Sequence, residues 1–256
     1  MDLGIRNRVA LVTGASSGLG KACALALARE GVRLAVAARR KDLLDGVAQQ
    51  ARNAGAADAR SFTVDLSDSR SIDLLLRDTA DAFGGVDIFV ANGGGPKPGT
   101  FTQTSPEAWD EGYRSVLRSM LQLVDGVVPG MRERRWGRIV ALTSTSVKQP
   151  IATLALSNIY RTALVAALKT LAGEVAKDGV TVNAIATGRI DTDRLRSLYG
   201  GDEAQLRRAG AEVPIGRVAE PDEFAPLVAF LCGEPARYVT GQTISIDGGL
   251  VAGLFG

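Results

Sequence analysis

The chain has 256 residues, 46% of them hydrophobic and 23% charged, which supplies one large core and excludes a disordered tail or a fibre. Its 30 basic and 28 acidic residues leave a formal charge of +2 spread along the chain, so no electrostatic footprint for nucleic acid or an anionic membrane stands out. Histidine is absent, which excludes Ser-His-Asp and Cys-His catalysis, leaves no imidazole for a metal site, and restricts any chemistry to hydroxyls, carboxylates, Lys and Arg.

In chain order, apolar runs at Arg8–Thr13, Arg33–Ala38, Ser61–Val64, Val86–Ala91, Arg138–Thr143, Thr181–Ile185 and Thr243–Ile246 read as strands, and most stretches between them carry helical periodicity. The first run is too short for a signal-peptide core or a membrane span, so a cytoplasmic protein is expected. Repeated β-α-β order implies parallel strands joined by helical crossovers. The expected fold is therefore a single-domain α/β Rossmann-type doubly wound sheet of about seven strands with helices on both faces. No linker or repeat divides residues 1–256. Cys23 and Cys232 each sit in an apolar helical stretch and read as small core residues. Pro226, inside a helical stretch, predicts a kink or break.

The first strand runs into Gly14, Ala15, Ser16, Ser17, Gly18, Leu19 and Gly20, followed by an Ala/Leu helix. Glycines there allow a tight turn and close approach of a pyrophosphate, and the helix start offers unpaired N–H groups. The turn thus points to a dinucleotide. The second strand ends at Arg39 and Arg40, with no acidic residue to accept from a ribose 2′-hydroxyl. Two guanidinium groups suit a 2′-phosphate, so NADP(H) is expected over NAD(H); a pair of solvated arginines is the plainer reading.

The spacing Gly-x-x-x-Gly-x-Gly after Thr13 resembles that of the short-chain dehydrogenase/reductase family. The resemblance extends through Asp65-Leu66, Ala91-Asn92-Gly93-Gly94, Gly137-Arg138-Ile139-Val140, Asn183 to Gly188, Pro214 to Arg217, and Asp247-Gly248-Gly249. It covers essentially the whole chain, and its C-terminal motifs resemble the subset that includes 3-oxoacyl carrier-protein reductases. It implies cofactor contacts from Asp65, Leu66, Asn92, Gly93, Gly94, Gly188, Ile190 and Thr192, beside Gly14, Ser16, Ser17, Gly18, Leu19 and Gly20 of the turn. Thr187 stands where the family has Pro.

Family members use an Asn-Ser-Tyr-Lys tetrad. Aligned by the resemblance, Ser144 falls at the serine, Ser157 at the tyrosine, Arg161 at the lysine and Val116 at the asparagine, so only Ser144 keeps its type. A serine oxygen is nearer the backbone than a tyrosine oxygen and far less acidic. Arg161 can bind the ribose and hold a fixed charge. Tyr160, roughly 60° around the helix from Ser157, is a candidate to reach the same pocket. Two functions follow: an NADP(H)-dependent oxidoreductase of a carbonyl or alcohol with an altered catalytic set of Ser144, Ser157, Tyr160 and Arg161, or an NADP(H)-binding homologue that transfers no hydride and acts as a sensor or assembly partner.

The polar stretch 191–212 reads either as a substrate-covering lid or as a solvated helix and loop. Gly93, Gly94 and Gly95 are expected to open space near the nicotinamide. Arg132, Arg134 and Arg135 suit either an acyl carrier protein or a solvated face. The helix Ala152–Lys177 is apolar on several faces, and the family is commonly tetrameric, so a homotetramer or homodimer is expected.

Overall fold

The computed structural model describes residues 1–254. Seven parallel strands form one sheet in the order β3-β2-β1-β4-β5-β6-β7. They are β1 (Val9–Thr13), β2 (Arg33–Ala38), β3 (Asp58–Thr63), β4 (Ile88–Ala91), β5 (Gly137–Leu142), β6 (Val180–Thr187) and β7 (Thr243–Ile246). β1 and β5 are buried at every position, as strands covered on both faces must be.

On one face, α1 (Gly18–Arg29), α2 (Lys41–Ala54) and α9 (Pro221–Cys232) bring Leu27, Val47 and Phe224 into one core over β1, β2 and β5. On the other, α3 (Ser69–Phe83), α5 (Ser119–Glu133) and α6 (Ala155–Val175) bring Leu75, Leu123 and Leu164 against Leu11, Phe89 and Ile139. Cys23 and Cys232 are free and buried where α1 meets α9, and burial raises both thiol pKa values, that of Cys232 to about 12. They are core residues, as their setting in the sequence suggests.

One expected strand boundary needs correction, and two other stretches take definite form. β3 starts at Asp58, earlier than the run at Ser61: it is an edge strand with Ala59 inside and Arg60 exposed, so its first half lacks an apolar run. Pro226 lies within α9 without ending it. Residues 191–212 form two helices, α7 (Asp193–Leu198) and α8 (Glu203–Ala211), joined through Gly200 and Gly201, both at positive φ.

α4 (Pro106–Gly112) runs into α5 through a π-helical turn at Tyr113–Arg118. Such a turn holds a residue more than an α-helix would and recurs beside functional sites. Val116, at the position the resemblance gives to asparagine, is buried in it.

Candidate functional site

The strand order reverses between β1 and β4, where parallel α/β sheets leave a crevice beyond the strand carboxyl ends. A clasp sets that crevice. Thr13 Oγ1 donates to the Asn92 carbonyl oxygen at 2.8 Å and accepts from the Asn92 backbone N–H at 3.0 Å. Asn92 Nδ2 donates to the Gly14 carbonyl oxygen at 3.2 Å. The glycine turn after β1 is thereby tied to the end of β4.

The turn has a cradle's geometry. Gly14 and Gly18 adopt φ of 59° and 53°, in the region that favours glycine. A Cβ on Gly20 would run into the Gly14 carbonyl oxygen, and one on Gly18 would lie 3.1 Å from Thr192 Cγ2. Ser17 precedes α1 without capping it through its side chain, so the start of α1 faces the crevice with its N–H groups free of a side-chain acceptor.

Arg40 Nη2 donates to Ser16 Oγ at 3.0 Å and Ser17 Oγ at 2.8 Å. These contacts bring a guanidinium and two hydroxyls together where β2 ends. Arg39 is exposed beside them and helps, behind the Ser67 N–H and hydroxyl, to hold the Asp65 carboxyl below its ordinary pKa. Asp65 therefore stays an ionised acceptor. Leu66 and Gly93 approach each other: a Cβ on Gly93 would be 3.7 Å from Leu66 Cδ1. At the far side of the crevice, Gly188 packs on Asp247, Ile190 is buried, and Thr192 caps α7 through the Leu195 N–H. The Thr187 hydroxyl, at the end of β6, is buried without a partner. This combination of a side-chain-free cradle, an Arg/Ser/Ser cluster and an orphaned hydroxyl fits a phosphorylated dinucleotide.

Three serines gather near the crevice. Ser144 follows β5, and its Oγ accepts from the Ser146 N–H at 3.1 Å; Ser146 Oγ lies 3.3 Å from Ser157 Oγ on α6. Ser157 is buried. One turn further along α6, Arg161 Nη1 donates to the Leu142 carbonyl oxygen at 2.9 Å, between Gly93, Gly94, Ser115 and Val116. Burial, with the Arg194 charge as a lesser cause, lowers its pKa to about 10, leaving it a cation at neutral pH.

Tyr160 does not join this group. Its hydroxyl donates to the Trp109 carbonyl oxygen at 2.9 Å, and its ring packs against Trp109 and Tyr113. Burial, and secondarily Asp110, raise its pKa, the wrong direction for a proton donor. The expectation that Tyr160 serves in proton transfer is corrected: the turn from 157 to 160 carries the ring onto α4.

The triple glycine also differs from expectation. Gly94 has open space where a Cβ would be, but a Cβ on Gly95 would lie 2.7 Å from Arg194 Nε. The Arg194 guanidinium, which sequence reasoning passed over, occupies that room and donates from Nη2 to the Pro96 carbonyl oxygen at 2.6 Å. Nothing in the local sequence pairs position 194 with 95, because the contact exists only once α7 folds over the β4 loop.

Arg132, Arg134 and Arg135 stand before β5, at the end of the sheet opposite the crevice. Arg132 pairs with Asp178 at 2.6 Å, Arg134 with Asp87 at 3.0 Å, and Arg135 donates to the Lys177 carbonyl oxygen at 2.7 Å. All three thus have internal partners, while Arg132 and Arg135 stay half or more exposed.

Comparison with known proteins agrees with this geometry. A family model described as Enoyl-(Acyl carrier protein) reductase matches residues 14–251. The chain is 34% identical over 248 residues to the 3-oxoacyl-[acyl-carrier-protein] reductase FabG of Vibrio cholerae, covering 97% of this chain and 99% of that protein. It is 35% identical to a putative ketoacyl reductase of Streptomyces coelicolor, covering 95% and 97%. The L-sorbose reductase of Gluconobacter frateurii, solved with NADPH and L-sorbose, superposes with a TM-score of 0.93 at 34% identity, covering 99% of this chain and all of that one. With its crevice, its cradle and these relatives along nearly its full length, the chain belongs to the short-chain dehydrogenase/reductase family, alongside the 3-oxoacyl-[acyl-carrier-protein] reductases.

Proposed function

We propose that the protein is an NADP(H)-dependent oxidoreductase that interconverts a carbonyl and an alcohol with an altered catalytic set. The Arg40–Ser16–Ser17 cluster at the end of β2 carries the cofactor reading, because a guanidinium flanked by two hydroxyls matches a 2′-phosphate. FabG and ketoacyl reductase relatives, and neighbours solved with NADPH, support the reaction class. A 3-oxoacyl thioester is thus the first substrate type to try.

When bound, the nicotinamide supplies a hydride to the carbonyl carbon or accepts one from the alcohol. Ser144 orients the substrate: its oxygen already accepts from the Ser146 N–H, which leaves its own O–H to donate to the carbonyl oxygen. Arg161 holds a fixed positive charge behind the reacting centre and steadies the ribose. Ser157 and Ser146 pass a proton from solvent, since neither hydroxyl is acidic enough to be its final source. Asp65, Leu66, Asn92, Gly93, Gly94, Gly188, Ile190 and Thr192 line the cofactor's path, and α7 with α8 covers the substrate.

A second reading is favoured by Ser157, whose buried hydroxyl stands in place of a phenol. On it, the protein binds NADP(H) as a sensor or assembly partner and transfers no hydride. Titration with NADPH and NADH, followed by nicotinamide oxidation against ketones and 3-oxoacyl thioesters, separates the two. Binding with turnover supports catalysis, and binding without turnover supports the second reading. Loss of both removes the cofactor assignment.

A further inference from the structure

Of the cations on the segment after β6, two are neutralised by their neighbours, while Arg194 and the exposed Arg207 and Arg208 of α8 are not. Arg189 pairs with Glu212 at 2.7 Å, and Arg196 holds Asp191 at 2.6 Å and also pairs with Glu203. On the facing loop, Lys97 pairs with Glu111 at 3.6 Å. Arg194 differs from Arg207 and Arg208 in its place: its guanidinium lies against Gly95 and Pro96 of the loop after β4, and neither it nor Arg161 beneath that loop has a carboxylate partner among the described residues.

Each of the two guanidiniums spends one hydrogen bond on a backbone carbonyl, Pro96 for Arg194 and Leu142 for Arg161. A guanidinium carries five N–H donors in a planar fork that matches a carboxylate. Most of the donors at this mouth of the crevice are therefore unspent. The two charges also act on each other, since Arg194 contributes to the lowered pKa of Arg161. Two neighbouring cations without a counter-ion create a site where an anion gains from both.

The cofactor's own anionic groups have partners elsewhere. The glycine turn and the start of α1 face the pyrophosphate, and Arg40 with Ser16 and Ser17 faces the 2′-phosphate. Ser144 and Arg161 lie instead at the reacting end. Gly95 accommodates the Arg194 guanidinium against the loop, at a position where any side chain would push it away.

We infer that the carbonyl substrate carries a carboxylate, and that Arg194 on α7 binds it, with the buried Arg161 charge beneath the loop adding to the attraction. This names the substrate class of the proposed reaction as an oxo acid or hydroxy acid, in place of the 3-oxoacyl thioester that the relatives suggest, and rests on the crevice being that reaction's site. Arg194 is exposed, so its substitution leaves the core intact. It is a specificity residue at the rim, distinct from the cofactor cradle.

The test uses the full chain and calorimetric titration of 2-oxohexanoate and its uncharged ethyl ester, with and without saturating NADP⁺. The oxidised nucleotide permits a complex in which the ketone cannot be reduced. The acid is expected to bind about tenfold or more tighter than the ester, and Arg194→Gln to abolish that preference. NADP⁺ affinity should remain within about twofold in the variant, as judged against this charge-assisted contact. Equal binding of acid and ester, no binding of the acid, or a preference that survives Arg194→Gln overturns the inference. So does a large loss of NADP⁺ affinity, which would give Arg194 to a cofactor phosphate. Nucleotide binding without acid preference would sink this inference alone; acid preference without nucleotide binding would sink the cofactor reading and leave the anion site standing.

Discussion

Arg40 is the side chain on which the proposed nucleotide choice rests. It is exposed and bonded only to Ser16 and Ser17 among its side-chain contacts, so its removal should cost little in stability. Arg40→Ala is expected to weaken NADPH binding by about ten- to a hundredfold, the worth of a charge-assisted pair, while NADH binding stays unchanged. Equal losses for both nucleotides, measured by fluorescence titration, would remove Arg40 from the phosphate. Much of this end of the crevice was legible in sequence, because Gly14, Gly18, Gly20 and Arg40 act through local backbone geometry and charge. The reacting end was less so. Tyr160 and Ser157 are neighbours in sequence, but helix rotation sends one ring to Trp109 and leaves the other hydroxyl beside Ser146. Arg194 was missed because its partners, Gly95 and Pro96, are distant in sequence.

At the level of elements, the start of α9 combines two acidic side chains with one cation. Glu220 and Glu223 form a reciprocal capping box, and Glu223 takes a two-pronged ion pair from Arg217 at 2.7 and 2.6 Å. The Arg217 bonds first, then the Glu220 N–H, lower the Glu223 pKa from 4.5 to about 2. A carboxylate depressed in the folded state stabilises it fully above pH 4.5, and that contribution fades as pH falls through about 2. Thermal unfolding of wild type and Glu223→Gln should therefore differ near neutral pH and converge in acid. A constant difference across that window would show that the pair does not titrate with folding. Boundaries follow the same logic of visibility. Buried β1 and β2 announce themselves as apolar runs, whereas β3 hides its first half behind Asp58 and Arg60, and α7 and α8 look like a polar loop until their Thr192 and Asp202 caps are seen.

Over the molecule as a whole, the two-faced core leaves an apolar groove uncovered on its outer side. Leu121, Val124 and Val128 of α5 and Leu171 of α6 line a groove on the outside, bordered by Arg118, Asp125 and Glu174. Such a face, apolar in its middle and charged at its rim, suits a second copy of the chain. Wild type is expected to sediment as a dimer or tetramer, and Leu171→Glu to shift it toward monomer with its circular dichroism preserved. A monomeric wild type would contradict this arrangement. Among the described residues no helix is long and apolar enough to cross a membrane.

The central place of β1 bears on how the chain acquires its shape. β1 pairs on one side with β2, close in sequence, and on the other with the more distant β4, and the Val9 N–H donates to the Asp87 carboxylate across 78 positions of chain. Such distant pairings slow folding, because loop closure must precede their reward. A ribosome-bound segment lacking β4 would carry β1 with one backbone edge unpaired and a largely apolar run of side chains, a template for strand addition between nascent chains. Yield of native protein should accordingly depend on synthesis rate and temperature more than on the stability of the finished sheet.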